Sequence, residues 1–444
     1  MKEKTKTALI ISAVAALLLV CAVSIVLCVI SLTASRDTAD VTLYDTYLEM
    51  VEAGEFEGTY ADWLAEYVVS DASAWQGSGT DLSAAASAAL LSSVSVEASA
   101  TYTYSSRSAG MGPGGGSTTY ETESSWYGSG VLIDVDRDSG DAYFVTNGYV
   151  GYDGTIYSGS TAYTPSETSY TAYLYGMESE EYAMECSVLG YSVTCDVAVC
   201  KIEGSEIIQN SCVAAATAGD SDALAAGDPV VLAGNALDEG LSVTAGIVSV
   251  TRETYEATAV DGSTSLSVGV IRTDAAGYAG CYGGGLFDAD GALVGMFTDY
   301  ESEGGEDMSY CLPANTVLAV ADSIMDSCDG TTKTTSKFAL GVMVTSGDAE
   351  QVYDGSVVTT EEAQTVYSVT SGSAAAEAGI EAEDVILSLT DSDGNAKKAA
   401  HSWCISDFLW TVRAGDVFTV TVERDGEELD LQVTADESSF SSVS

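Results

Sequence analysis

Covalent hydrolysis of a peptide bond requires a nucleophile, a base within hydrogen-bond reach of it, and a group that orients the base. Three stretches of the sequence hold candidates: Thr146-Asn147-Gly148-Tyr149-Val150, Asp196-Val197-Ala198-Val199-Cys200-Lys201-Ile202 and Gly280-Cys281-Tyr282-Gly283-Gly284. Asp196 is a carboxylate of the orienting kind, although alone it does no chemistry and reads as a buried, satisfied acid. Cys281 is a thiol in a glycine-rich loop, where backbone amides favour the thiolate. The base is what is lacking. The sole histidine is His401, far downstream of the loop, and it reads as an ordinary surface or groove residue. Tyr149 and Tyr282 offer phenols, and phenols as a class ionise near pH ~10 and are poor bases at pH 7.

Strands and turns must position these residues. From Leu91 the sequence runs as short strands separated by Gly and Asp-Gly turns, and Val131–Asn147 (VLIDVDRDSGDAYFVTN) has the alternation and central turn of a hairpin. A helix is expected over 315–325, after Pro313. Thr331–Lys337 reads as a polar connector. Beyond it the pattern predicts a strand at 340–344, a helix at 373–378, a strand at 384–389 and a helix at 403–412. A hairpin turned at Asp425-Gly426 follows. Residues 437–444 read as a frayed tail, and the Ala/Ser/Gly-rich stretch 72–90 as a flexible linker.

Composition narrows the function. The chain of 444 residues carries 15 Lys+Arg against 67 Asp+Glu, a formal net charge of −52, which repels nucleic acid and anionic lipid headgroups. There is no CxxC, and one histidine is too few for the usual Cys/His zinc clusters, so neither metal nor cofactor is expected. At the N-terminus, MKEKTK precedes the uncharged run Ala8–Leu32. At the helical rise this run spans about 37 Å, enough to cross a bilayer with some tilt, and it exceeds the core of a cleaved signal peptide. Lys2, Lys4 and Lys6 before it place the N-terminus in the cytoplasm and the main body outside. Outside the membrane the eight cysteines beyond the run can be disulfides or buried thiols. Their pairing is open. The expected order is a short tail and transmembrane helix (1–33), a helical stalk (34–71), the linker (72–90), a β-rich body (91–328), a connector (329–337), a second domain (338–436) and the tail (437–444).

The three stretches, together with Gly219–Ser249 and its TAGIVS block, resemble the trypsin-like domain of HtrA/DegP serine proteases over about Leu91–Met325. The resemblance implies a mainly β fold, a chymotrypsin-like double β-barrel. In that family the catalytic His lies in a TNxHV-type motif, the Asp in a D-[LV]-A-V-x-K-[IV] motif and the Ser in GNSGG. Here Tyr149 takes the His place, Asp196 matches the Asp and Tyr282 takes the Ser place. Gly280 and Gly283 fall in the oxyanion loop. In a serine protease, loss of Ser or His alone costs about 10⁶ in turnover. The rival nucleophile, Cys281, stands one position before the expected one. The two tyrosines are expected to meet across the old site and fill its cleft.

Lys337–Val344 (KFALGVMV), Val369–Leu389 and Arg413–Gly426 resemble the PDZ domain of the same family, an α+β fold covering about Phe338–Ala435. The resemblance implies that backbone amides at Leu340, Gly341 and Val342 receive the C-terminal carboxylate of a peptide, which adds as a strand. The combined expectation is a membrane-anchored HtrA-like pseudoprotease. It would bind exposed peptide segments, protein C-termini or unfolded proteins in a quality-control or scaffold role, with no nucleic-acid partner. By family resemblance it forms a homo-oligomer, a trimer. Two alternatives stand beside it: an active serine- or cysteine-type endopeptidase using Cys281 or residues aligned differently, and an assembly subunit for an active HtrA relative.

Overall fold

The computed structural model describes Met50 and residues 82–107, 117–298, 308–353 and 358–443. The chain divides into two units, Met1–Ala74 and Trp75–Ser444, and all described residues except Met50 belong to the second. The expected membrane span Ala8–Leu32 lies outside the described residues, as does the expected stalk apart from Met50. Among the described residues no helix is long and apolar enough to cross a membrane.

The first barrel is built from β1 (Ser93–Arg107), β2 (Ser117–Asp136), β3 (Asp141–Thr146), β4 (Ile156–Ser158), β5 (Thr161–Leu174), β6 (Met184–Ser192) and β7 (Val197–Ile202). Its strand order is β1-β2-β3-β7-β6-β5-β4, and a β1–β5 pairing closes it. Inward residues alternate with outward ones, as a half-buried strand dictates. Along β6 the alternation buries Met184, Cys186 and Val188 against Phe144, Leu132 and Ile202. The second barrel comprises β8 (Pro229–Asn235), β9 (Leu241–Thr258), β10 (Ser265–Thr273), β11 (Gly285–Asp288), β12 (Leu293–Thr298) and β13 (Ser309–Pro313), closed in the order β10-β13-β12-β11-β8-β9.

Helix α1 (Ser83–Leu91) precedes the first barrel and leans on β8, β9 and β11. A flexible linker was the expectation for this stretch, and the structure corrects it for residues 83–90. Ala is the best helix former, and the absence of bulk lets Ala85 and Ala89 sit fully buried against the second barrel. Helix α2 (Gly148–Gly151) is a single turn capped by the Asn147 side chain, which accepts from Val150 N–H. Helix α3 (Ala314–Ser327) begins after Pro313, as the sequence predicts, and buries Val317, Val320 and Ile324.

The last third of the unit holds β14 (Thr335–Phe338), β15 (Val342–Ser346), β16 (Glu350–Tyr353), β17 (Val358–Glu361), β18 (Gln364–Val369), α4 (Ala374–Ala378), β19 (Val385–Thr390), β20 (Ala396–Lys398), α5 (Ser402–Thr411), β21 (Val417–Arg424), β22 (Glu427–Thr434) and β23 (Phe440–Val443). The sheet runs β15-β18-β19-β21-β22. The β21–β22 hairpin turns at Asp425 and Gly426, both with positive φ (54° and 79°), as a type I′ turn requires. Two further expectations need correction. The connector and the tail are not loose, because β14 pairs antiparallel with β23 and Phe440 packs on Phe338 at 5.5 Å between ring centroids. Burial of Phe338, at 1% exposure, holds the tail down.

Candidate functional site

The cleft between the barrels is assembled from α2, the loop after β6, the loop before β11, and the end of β12. Asp196 is buried and adopts a left-handed backbone, φ 55°, a conformation uncommon for a residue other than glycine. Its carboxylate accepts the Gly148 N–H at 2.9 Å and the Thr298 hydroxyl at 2.8 Å. The neighbour of Gly148 is Tyr149. Its ring meets that of Tyr282 at 5.0 Å between centroids with planes at 60°, and Tyr282 stacks in turn on Phe297 at 5.9 Å. Tyr149 is 50% exposed and Tyr282 half-buried, so the pair covers the cleft floor and still presents an aromatic edge to solvent. Tyr278 and Leu237 are also exposed, and the Leu237 N–H donates to Ala279 O at 2.7 Å, which ties Leu237 to the loop before β11.

The loop carrying Tyr282 is pinned from the first barrel. Ser129 N–H donates to Tyr282 O at 2.8 Å, and its hydroxyl donates to Gly280 O at 2.8 Å while accepting Asn235 N–H at 2.8 Å. Such a hydroxyl is fully engaged and holds the loop instead of attacking a substrate. Gly283 has φ 82°, and a Cβ there would lie 2.2 Å from Thr146 Oγ1, so only glycine permits the approach of the two barrels. The two expected oxyanion-loop glycines differ. The Gly283 N–H is committed to Phe297 O at 2.9 Å, whereas the Gly280 N–H donates to no group among the described residues. Ser129, Thr298 and Asn235 escaped the sequence reading. The signal for Ser129 was its place between Gly128 and Gly130, small residues where another segment approaches closely.

Cys281 points the other way. It is 3% exposed within the core of the second barrel, beside Leu232, Leu286 and Cys311. Burial pushes its thiol up, with only a small opposing effect from a backbone hydrogen bond. The expected lowering by loop amides is therefore reversed, and an unreactive thiol results. Among the described residues all eight cysteines are free and no metal-binding group of side chains occurs.

The Leu340–Val342 loop is anchored through its carbonyls. Leu340 O accepts from Ala375 N–H at 3.0 Å and Gly341 O from Thr370 N–H at 2.8 Å. The N–H groups of Leu340 and Gly341 donate to nothing among the described residues. The loop leads into β15, an edge strand with α5 alongside. The sequence-expected residues are thus brought together here as a short run of open amides beside the outer edge of β15, whose other edge pairs with β18. His401 lies apart from both sites. Its Nε2 is 2.7 Å from Thr360 O and its ring stacks on Trp403 at 4.8 Å.

A family model described as trypsin-like peptidase domain matches residues 128–296, and one described as PDZ domain matches 339–435. The Serine protease Do-like HtrA of Lactococcus lactis is 30% identical over 325 residues, covering 70% of this chain and 71% of the relative. The chain belongs to the HtrA serine protease family. Other HtrA relatives include the Serine protease Do-like HtrB of Bacillus subtilis, 30% identical over 71% of this chain and 63% of its own length. The Periplasmic serine endoprotease DegP of Escherichia coli is 28% identical over 71% of this chain and 58% of its own. A solved structure, HtrA-type protease AlgW with decapeptide, overlaps 80% of this chain and 98% of that one at 22% identity and a TM-score of 0.47. In HtrA terms, the first two barrels form the trypsin-like part and β15–β22 the PDZ part.

Proposed function

We propose that this HtrA chain is a membrane-anchored binding protein whose triad has lost its base and nucleophile. Tyr149 and Tyr282 stand in their places, and the protein holds exposed peptide segments or C-termini of extracytoplasmic proteins without cutting them. The observation that carries the reading is the Tyr149–Tyr282 ring contact beside Asp196. Two phenols in contact where a base and a nucleophile should meet cannot move a proton efficiently at neutral pH. The alternative nucleophile, Cys281, is buried with its thiol pushed up. The retained capacity is recognition. The open amides at Leu340 and Gly341 suit a terminal carboxylate, the β15 edge suits an added strand, and the exposed Tyr149, Tyr278 and Leu237 suit apolar side chains of an unfolded segment. The run Ala8–Leu32 with Lys2, Lys4 and Lys6 before it supports single-pass anchoring with the body outside, and the HtrA resemblance supports a homotrimer.

The test is cleavage of unfolded casein by the full-length protein and by the double variant Tyr149→His/Tyr282→Ser. The natural protein is expected to be silent and the variant to cut, since Asp196 and the Gly280 loop are already in position. Cleavage by the natural protein that Cys281→Ala abolishes would overturn the reading.

A further inference from the structure

Lys337 is the one lysine among the described residues with no carboxylate within ion-pair distance. Lys201, Lys333, Lys397 and Lys398 each have one. In a chain carrying 67 acids, an ammonium with no carboxylate at ion-pair distance is the unexpected arrangement. Its Nζ donates to Ser406 Oγ at 2.5 Å and lies 5.0 Å from the centre of the Trp410 ring. Burial holds the ammonium below its ordinary pKa, against the smaller opposing pull of Cys195 and Asp407.

Lys337 lines a cleft of about 330 Å³ between β9–β10 and α5. Trp403 and Trp410 wall it from one side and Val268 and Leu312 from the other, with the hydroxyls of Thr254 and Ser267 among its polar groups. Trp410 is 2% exposed, and its indole N–H reaches no oxygen or nitrogen acceptor among the described residues, the neighbouring Cys195 thiol of the same cleft being its one weak contact. A buried donor left unpaired is destabilising, and a ligand acceptor would relieve it. The carboxylate that also borders the cleft, Asp407, is already engaged by Arg252 and, at 3.7 Å, by Lys397. The partly buried Lys337 ammonium and the buried Trp410 indole N–H thus line one cleft with neither bonded to a carboxylate.

We propose that this cleft binds a small organic carboxylate with an aromatic or apolar body. The carboxylate is received by Lys337 Nζ and Trp410 Nε1–H, and the body lies against the indoles, Val268 and Leu312. The site is separate from the Leu340–Val342 loop: no residue of that loop lines it. Because the cleft is bounded by the trypsin-like part and the PDZ helix together, occupancy stabilises their contact.

The probe is phenylacetate, titrated into the full-length protein and followed by intrinsic tryptophan fluorescence, with phenylacetamide as its uncharged counterpart. Saturable binding is expected, weakened at least tenfold for the amide and at least tenfold in Lys337→Met. Trp410→Phe, which keeps most of the ring and removes the N–H, is expected to weaken binding severalfold with the thermal midpoint retained; should Lys337→Met fail to fold, this variant and the amide decide. Equal affinity for acid and amide, no binding of either, or unchanged affinity in the variants would overturn the proposal. So would phenylacetate binding abolished by Gly341→Ala and kept by Lys337→Met, which would place the carboxylate in the PDZ loop.

Discussion

Adjacent residues in the Gly280–Gly284 loop differ in burial, Cys281 inside the second barrel core and Tyr282 at its margin. Iodoacetamide at pH 8 is therefore expected to leave Cys281 unmodified in the native protein and to label it only after unfolding, as peptide mapping would show. Rapid native labelling would refute its burial. At the recognition loop, Gly341 has φ 83° and a Cβ there would lie 2.3 Å from Ser373 Cβ. Gly341→Ala is expected to reduce affinity for a peptide with a free C-terminus by tenfold or more, measured by fluorescence anisotropy. The meeting of Tyr149 and Tyr282 was legible because both replace smaller side chains at motif positions brought together by the fold. The roles of Ser129 and Thr298 were not, since a lone hydroxyl carries no sign of which distant backbone it will bond.

At the scale of elements, hairpins and helices with strong local signals stood where the pattern put them. Asp425-Gly426 supplies the left-handed angles its turn needs, and Pro313 marks the start of α3. Helix α1 and strand β23 were missed for one reason: their stability comes from distant partners. The residues of α1 are small, and only the second barrel makes Ala85 and Ala89 core. Ala85→Glu is expected to lower stability by ~2–4 kcal/mol in denaturant melts, because it places an unpaired carboxylate in an apolar contact. Helix α5 is the opposite case. It is apolar on two sides, burying Ile405, Phe408 and Leu409 in the PDZ core while Trp410 joins the barrel core. This double burial couples the two folds.

Across the whole molecule, Arg252 of β9 pairs with Asp407 of α5 and, at 3.6 Å, with Asp222, while Lys397 reaches Asp222 at 3.1 Å. Removing one charge from a buried pair leaves the other uncompensated. Asp407→Asn is accordingly expected to cost ~3–5 kcal/mol and to increase proteolytic nicking between the HtrA domains; an unchanged melting curve would show that the clamp is unimportant. Burial also raises all eight described thiols, Cys186 to about 12. Unfolded thiols ionise near pH ~8.5, so their contribution to stability is complete below that value and lost as pH climbs towards the raised folded values. On the acid side, burial works against ionisation of Asp222 and Asp384, yet Lys397 with Arg252, and Arg424, hold the two carboxyls low. Their contribution is present above pH ~4 and lost below it. Thermal midpoints measured from pH 3 to 11 should form a plateau that falls at both ends, and a midpoint still rising above pH 9 would contradict the thiol assignment.

Asp196, held by Gly148 and Thr298, and the Gly280 loop, held by Ser129, keep their positions with tyrosines where the family's catalytic histidine and nucleophilic serine stand. The genetic code makes that persistence consequential. Every tyrosine codon is one base away from a histidine codon and one base away from a serine codon. A gene encoding this scaffold is therefore two point mutations from presenting a complete triad on a prepared frame, and random mutagenesis under selection for secreted proteolysis offers a direct route to it.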